Sequence, residues 1–181
     1  MTFEDAQNRS DLLHLGTRIK AHLPRFTIMR INEAAGTGIV TGSLNLSHDE
    51  IKTSISARCS FRFGTNWPSY PPIVSTNEPW LNRDPEWHAY SDGSLCYLYA
   101  RHWLDEVAPM VSKYDIAVAA DFGAYWCIRS VQWLLYRHHF AFEHGIKKWP
   151  TQWPFWSHGQ KAEFEYKKFK RRNERLSRSA V

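Results

Sequence analysis

Cysteine is scarce in this chain and carries no spacing. The three residues Cys59, Cys96 and Cys127 are an odd number without a Cys-x-x-Cys pair, which argues against a disulfide framework and against a cysteine-built zinc cluster. Long apolar runs are missing as well. Nothing reaches the ~18 consecutive apolar residues that mark a membrane-spanning helix, and no charged-then-apolar leader with a small-residue cleavage site opens the sequence. A protein of the reducing cytoplasm, neither inserted nor secreted, is expected. Internal repeats and a flexible interdomain linker are also absent. A length of 181 residues with 43% hydrophobic content fits one core with extensions.

Aromatic residues, by contrast, are abundant: they make up 15% of the chain and include nine Trp. Such side chains fill cores and also build binding surfaces, so composition does not choose between the two. In residues 3–22, Leu12, Leu15 and Ile19 recur at helical spacing, continued by Leu23, and Pro24 stops the pattern. Strands are expected over 26–33 and 39–47, around the glycine-bearing turn Gly36-Thr37-Gly38. The clearest pattern follows. Ile51, Thr53, Ile55, Ala57, Cys59, Phe61 and Phe63 alternate with Lys52, Ser54, Ser56, Arg58, Ser60 and Arg62, as in an antiparallel strand packed on one side. This places Cys59 on the apolar side, and Arg58 and Arg62 in solvent.

After Pro72, residues 73–75 are long enough only for a short last strand, and 77–91 read as a loop. Ser112-Lys113-Tyr114-Asp115 has the form of a capping box that opens a helix over 114–142, with Gly145 placed to end it. Ile116, Ala120, Ala124, Cys127, Val131 and Leu135 supply its core-facing stripe, which assigns Cys127 a structural role. The segment from Trp149 through Trp153 to Trp156 must dock on something, because proline stiffens it and its indoles are costly to leave in water. Residues 160–177 read as a charged terminal helix. The net charge of +5 is concentrated there, in the run Lys167-Lys168-Phe169-Lys170-Arg171-Arg172. A solvated face explains such a run more simply than a nucleic-acid site. The acidic and cysteine partners needed to complete a four-ligand site do not cluster with His138, His139, His144 and His158, so no metal is expected.

The chain is organised around residues 61–103. The alternating strand ends in the six-residue turn Trp67-Pro68-Ser69-Tyr70-Pro71-Pro72. His88-Ala89-Tyr90 comes next, followed by Asp92 and by Gly93-Ser94-Leu95-Cys96; Trp103 stands seven residues beyond the cysteine. A strand feeding a rigid proline turn, followed by a loop that presents one cysteine behind a glycine, is a way to hold a thiol out for reaction.

That order of parts resembles the catalytic core of ubiquitin-conjugating enzymes over roughly residues 3–140. The family pattern is aromatic-Pro-x-x-Pro-Pro, a His-Pro-Asn tripeptide, Gly-x-x-Cys with the nucleophile, and a Trp further on. Here Ala89 and Tyr90 stand where Pro and Asn are usual. The resemblance implies an α+β fold: an N-terminal helix, a four-stranded antiparallel meander, the cysteine loop, and helices packed on one face. The domain would cover residues 1–145, with 146–181 packed on it or extending it.

By the same resemblance, Cys96 accepts the C-terminal acyl group of a partner protein as a thioester and passes it to a lysine or other amine, with no cofactor. His88 either lowers the pKa of Cys96 or acts as a base, unless it only packs the loop. Asp92, like Asp105, is a candidate to orient or deprotonate the amine. Donors to the developing oxyanion are sought among Tyr90, Ser91, Asn77, Asn82 and backbone amides near Cys96. Trp67, Tyr97 and Trp103 are candidates for partner contact. The departures at Ala89 and Tyr90, the long loop and the Trp-Pro-rich end look most like bacterial relatives found in anti-phage (CBASS-type) operons. There the partner would be the C-terminus of a cGAS-like nucleotidyltransferase or a ubiquitin-like protein, with or without a separate activating enzyme. The alternative reading is a catalytically inert relative that holds a partner non-covalently.

Overall fold

The computed structural model describes residues 26–32, 37–48, 51–64, 70–98, 103 and 116–150. The expected N-terminal helix, Trp67, Asp105, the capping box at 112–115, Trp153, Trp156 and the basic terminal run lie outside these residues. The described part is a mixed structure of a long helix and an antiparallel sheet, an α+β arrangement. Strands β1 (Phe26–Asn32), β2 (Thr37–His48), β3 (Ile51–Phe63) and β4 (Ile73–Thr76) lie in the order β1-β2-β3-β4.

The period-two pattern of β3 becomes two faces. Ala57, Cys59, Phe61 and Phe63 are buried, while Arg58 and Arg62 are exposed, as the alternation requires. The partner strand supplies the other half of this face. Leu44 lies opposite Ala57, Gly42 opposite Cys59 and Val40 opposite Phe61, and Leu44 and Val40 are buried with them. The register shifts between Asn45 and Ser47. Beside that irregularity the Asn45 carbonyl accepts a hydrogen bond from the Gln132 side chain at 2.9 Å, which ties the sheet to the helix.

At the other edge the ladder between β3 and β4 ends at Cys59 and Thr76. Side chains then take over. The Thr76 hydroxyl donates to the Arg58 carbonyl at 2.8 Å, and the Glu78 carboxylate accepts from the Arg58 amide at 2.7 Å. Both backbone groups of Arg58 are thereby satisfied although the strand has ended, and the chain is free to leave the sheet.

Helix α1 spans Ile116–Glu143, about 42 Å at 1.5 Å per residue. It ends as its glycine predicts. Gly145 adopts φ +63°, its amide donates to the Phe142 carbonyl at 3.3 Å, and the Ile146 amide donates to the Ala141 carbonyl at 2.9 Å. This is the paired-bond termination that favours glycine in the left-handed position. The expected stripe is buried where side chains are described, at Ala124, Cys127, Val131 and Leu135. Burial extends well beyond one stripe, however, to Trp126, Ile128, Trp133, Arg137 and His138. From Phe122 to Ala141 the helix is enclosed on more than one side, which explains its low content of charge.

Trp103, expected at a partner surface, is fully buried and stacks on Trp126 with ring centroids 5.8 Å apart and planes 3° from parallel. It is a core residue, since an indole so enclosed has no face left for a partner. Past the helix, Trp149 packs edge-on against Trp87 at 5.7 Å and against His88 at 4.9 Å, so the first of the C-terminal indoles is docked on the core. No helix among the described residues is long and apolar enough to cross a membrane.

Candidate functional site around Cys96

Cys96 is placed by a short hairpin that widens the sheet beyond β4. Ser94 bridges Ser75 and Leu95 bridges Ala89, both antiparallel. Two bonds hold it to β4, Thr76 amide to Gly93 carbonyl at 3.0 Å and Leu95 amide to Val74 carbonyl at 2.8 Å, and Cys96 amide to His88 carbonyl at 2.8 Å ties its two arms together. The turn closes through Tyr90 amide to Ser94 carbonyl at 2.8 Å and Gly93 amide to Tyr90 carbonyl at 2.9 Å. Cys96 therefore sits at the mouth of a hydrogen-bonded frame.

Gly93 is needed in that frame for two reasons. Its φ is +81°, and a Cβ built on it would lie 2.4 Å from the Thr76 carbonyl oxygen. A side chain would thus meet backbone strain and a backbone clash together. Asp92 serves the same turn. Its carboxylate accepts from the Ser94 amide at 2.9 Å and the Ser94 hydroxyl at 2.6 Å, and these bonds, with a smaller contribution from the Arg62 charge, lower its pKa. Considered as an orienter or base for an amine, Asp92 has one of its two oxygens, Oδ1, committed to the turn.

The loop from Asn77 to Ser91 is anchored from α1. The Asn82 amide donates to His138 Nδ1 at 3.3 Å, and Nε2 of the same ring donates to the Trp87 carbonyl at 2.8 Å. Those two bonds fix one neutral tautomer. Burial, against which the Trp87 bond works, lowers the pKa of His138 to about 4. With both nitrogens committed to backbone, His138 acts as a bracket for the loop. His144, another of the histidines weighed for metal, gives its Nδ1 to the Phe140 carbonyl at 2.8 Å. In the loop, Asp84 caps the single 3-10 turn Pro85–Trp87 by accepting from the Glu86 amide at 2.8 Å, and His88 leaves the turn at φ +59°.

His88 is turned toward Trp149, against which its ring packs edge-on. Burial, helped by the nearby charge of Arg137, lowers its pKa to about 4. At neutral pH it is therefore an uncharged ring in an aromatic cluster, and it brings no positive charge to stabilise a Cys96 thiolate. Loop packing is the role its surroundings give it. The Arg137 guanidinium lies 3.0 Å over the Trp133 ring and 5.6 Å from that of Trp149, a cation-π arrangement that keeps a buried charge beside the loop.

Tyr97 faces away from Cys96, into the core. It is 4% exposed; its hydroxyl donates to the Pro72 carbonyl at 2.6 Å and accepts from the Cys127 thiol at 3.4 Å. The expectation that Tyr97 touches a partner is corrected on this ground. Its phenol instead joins the proline turn, the cysteine loop and α1 in one buried chain.

The three thiols differ sharply. Burial pushes Cys59 and Cys127 up to about 12. Cys96 is half-buried, and partial desolvation raises its pKa while a hydrogen bond from the Tyr90 hydroxyl works in the opposite direction. Tyr90 itself is 48% exposed and stands at the thiol. Of the residues expected at the site, the structure brings Tyr90 to Cys96, gives Asp92 to the turn and His88 to the aromatic cluster, and buries Tyr97 and Trp103. Sequence reasoning missed His138 and Arg137 as supports of the loop; the only available signal was their place in a helix with so little charge. No family model matches the chain, and no curated protein or solved structure does.

Proposed function

We propose that the chain is a ubiquitin-conjugating-enzyme-like acyl carrier with Cys96 as its nucleophile. The observation that carries this reading is the contrast among the thiols. Cys96 alone is open to solvent, at the end of a glycine-dependent hairpin, whereas Cys59 and Cys127 are sealed in the core and kept protonated. A thiol presented in this way attacks an activated carboxyl carbon, holds the acyl group as a thioester, and releases it to an amine. The order of motifs from the alternating strand to Cys96 supports the ubiquitin-conjugating likeness. The absence of the tripeptide Pro and Asn at Ala89 and Tyr90 supports a bacterial relative acting in anti-phage defence, with the C-terminus of a cGAS-like nucleotidyltransferase or a ubiquitin-like protein as the acyl group.

The reading is tested by co-expression with such a protein encoded beside it, followed by intact-mass measurement. Cys96→Ala should abolish the adduct, while Cys96→Ser or Cys96→Lys should hold it as an ester or amide that survives thiol treatment. An adduct that persists in Cys96→Ala rules the reading out. One observation favours a non-covalent binding module, namely that desolvation raises the Cys96 pKa; wild-type protein that binds the partner without a mass shift would establish that alternative.

A further inference from the structure

The antiparallel pairing of Ala89 with Leu95 sets the faces of the hairpin. Ala89 and Leu95 are both buried, so their neighbours His88 and Tyr90 on one arm, and Ser94 and Cys96 on the other, belong to the opposite face. On that face Tyr90 stands across from Ser94, as the bond from the Tyr90 amide to the Ser94 carbonyl shows. Cys96 is its diagonal neighbour, a separation within reach of an aromatic side chain. The residue directly across from Cys96 is His88, whose left-handed backbone and contact with Trp149 commit its ring elsewhere. Asp92 is held in the turn, where its Oδ1 takes both Ser94 bonds. Tyr90 is thus the side chain that the hairpin delivers to the thiol.

We propose that the Tyr90 hydroxyl is the oxyanion donor of the Cys96 site, hydrogen-bonded to the sulfur at rest and to the acyl oxygen during transfer. The proposal rests on the acyl-transfer reading of Cys96. In the loading step the Cys96 thiolate forms a bond to the carbonyl carbon of an activated acyl donor, and the carbonyl pair moves onto oxygen, which accepts the Tyr90 O–H. Collapse restores the carbonyl and breaks the bond to the leaving group, which departs with the proton that Cys96 gave up. In discharge an amine replaces the sulfur by the same course, and Cys96 recovers its proton. Because the carbonyl oxygen is two bonds from the sulfur, a phenol that reaches one reaches the other through a small rotation. Beside the thiol the phenol holds its proton more tightly than a free tyrosine, since the neighbouring Cys96 raises its pKa.

Tyr90→Phe removes the hydroxyl at a half-exposed position and should leave thermal stability unchanged. Two readouts follow. The pH profile of Cys96 alkylation by iodoacetamide should move to higher pH, because the hydrogen bond from Tyr90 lowers the thiol pKa. Loading from a glycyl-peptide thioester of mercaptoethanesulfonate, compared at equal thiolate fraction, should slow by about 100-fold, the usual loss on deleting one oxyanion donor. An unchanged alkylation profile overturns the hydrogen bond and the proposal with it. A shifted profile with an undiminished loading rate also overturns the donor role, reducing Tyr90 to a modifier of the thiol. If wild-type protein forms no thioester at all, the acyl-transfer reading itself fails, whereas equal loading by wild type and Tyr90→Phe defeats only the assignment of Tyr90.

Discussion

Cys96 and Cys127 lie on opposite sides of Tyr97, one beside it in sequence and the other bonded to its hydroxyl. Cys127 is fully enclosed, its thiol donating to a phenol that in turn donates to the Pro72 carbonyl. Cys96, one residue away from the same tyrosine, faces the exposed phenol of Tyr90. The same functional group is thus a sealed packing element in one setting and a half-buried thiol within reach of solvent in the other. Cys96 and Tyr97 are parted because adjacent residues of an extended segment point to opposite faces, and Cys127 meets the inward-facing Tyr97 from α1. One consequence is that the buried tyrosine holds Cys96 in place: loosening Tyr97 would move Cys96 without touching it.

The comparison can be broken most severely with acid, because the loop that frames Cys96 depends on a neutral histidine. In the folded chain the pKa of His138 is lowered to about 4 from an ordinary 6.5. The unfolded chain therefore takes up the proton first as pH falls, and stability present above about 6.5 is lost on descending through about 4, by about 3 kcal/mol in all. His88 acts in the same direction. Urea unfolding from pH 8 to pH 4 should show this slope, and His138→Gln should flatten it; a slope unchanged in that variant would deny His138 its role.

Gly93→Ala should cost about 2 kcal/mol, since the added Cβ meets both a positive φ and the Thr76 carbonyl. It should also raise the mobility of the 89–96 hairpin, as read by amide exchange at Leu95 and Cys96. Tyr97→Phe, which leaves the Pro72 carbonyl and the Cys127 thiol without their shared hydroxyl, should cost about 1 kcal/mol and change the alkylation rate of Cys96 although that residue is intact. The smallest effect is expected from Cys59→Ala and Cys127→Ala, each about 1 kcal/mol or somewhat less for a small buried group, with Cys96 reactivity preserved. Thermal unfolding of the two variants, together with Cys96 labelling, checks both halves of that statement.

How much of this was legible in the sequence follows from the range of the forces involved. The faces of β3 were readable because alternation is local, and so was the end of α1, where one glycine sets the termination. Gly93 was readable as part of a motif, but its closeness to Thr76 was not, because that contact spans two strands. His138 illustrates the limit. Its ring bonds residues 56 and 51 positions away, at Asn82 and Trp87, and nothing in the local pattern distinguishes such a bracket from a ligand. Tyr97 and Trp103 were misplaced for a related reason: a motif states that an aromatic residue is present, whereas its direction is decided by the layer it meets. The face of Tyr90 was likewise unreadable, because it is set by the pairing of Ala89 with Leu95.

The most direct test of the central claim is site-resolved labelling of the native chain at pH 8 with iodoacetamide, followed by peptide mapping. Cys96 should be modified alone, with Cys59 and Cys127 labelled only after unfolding in guanidinium. Labelling of either buried thiol at a rate comparable to Cys96 in the folded protein, or protection of Cys96 until unfolding, would contradict the account.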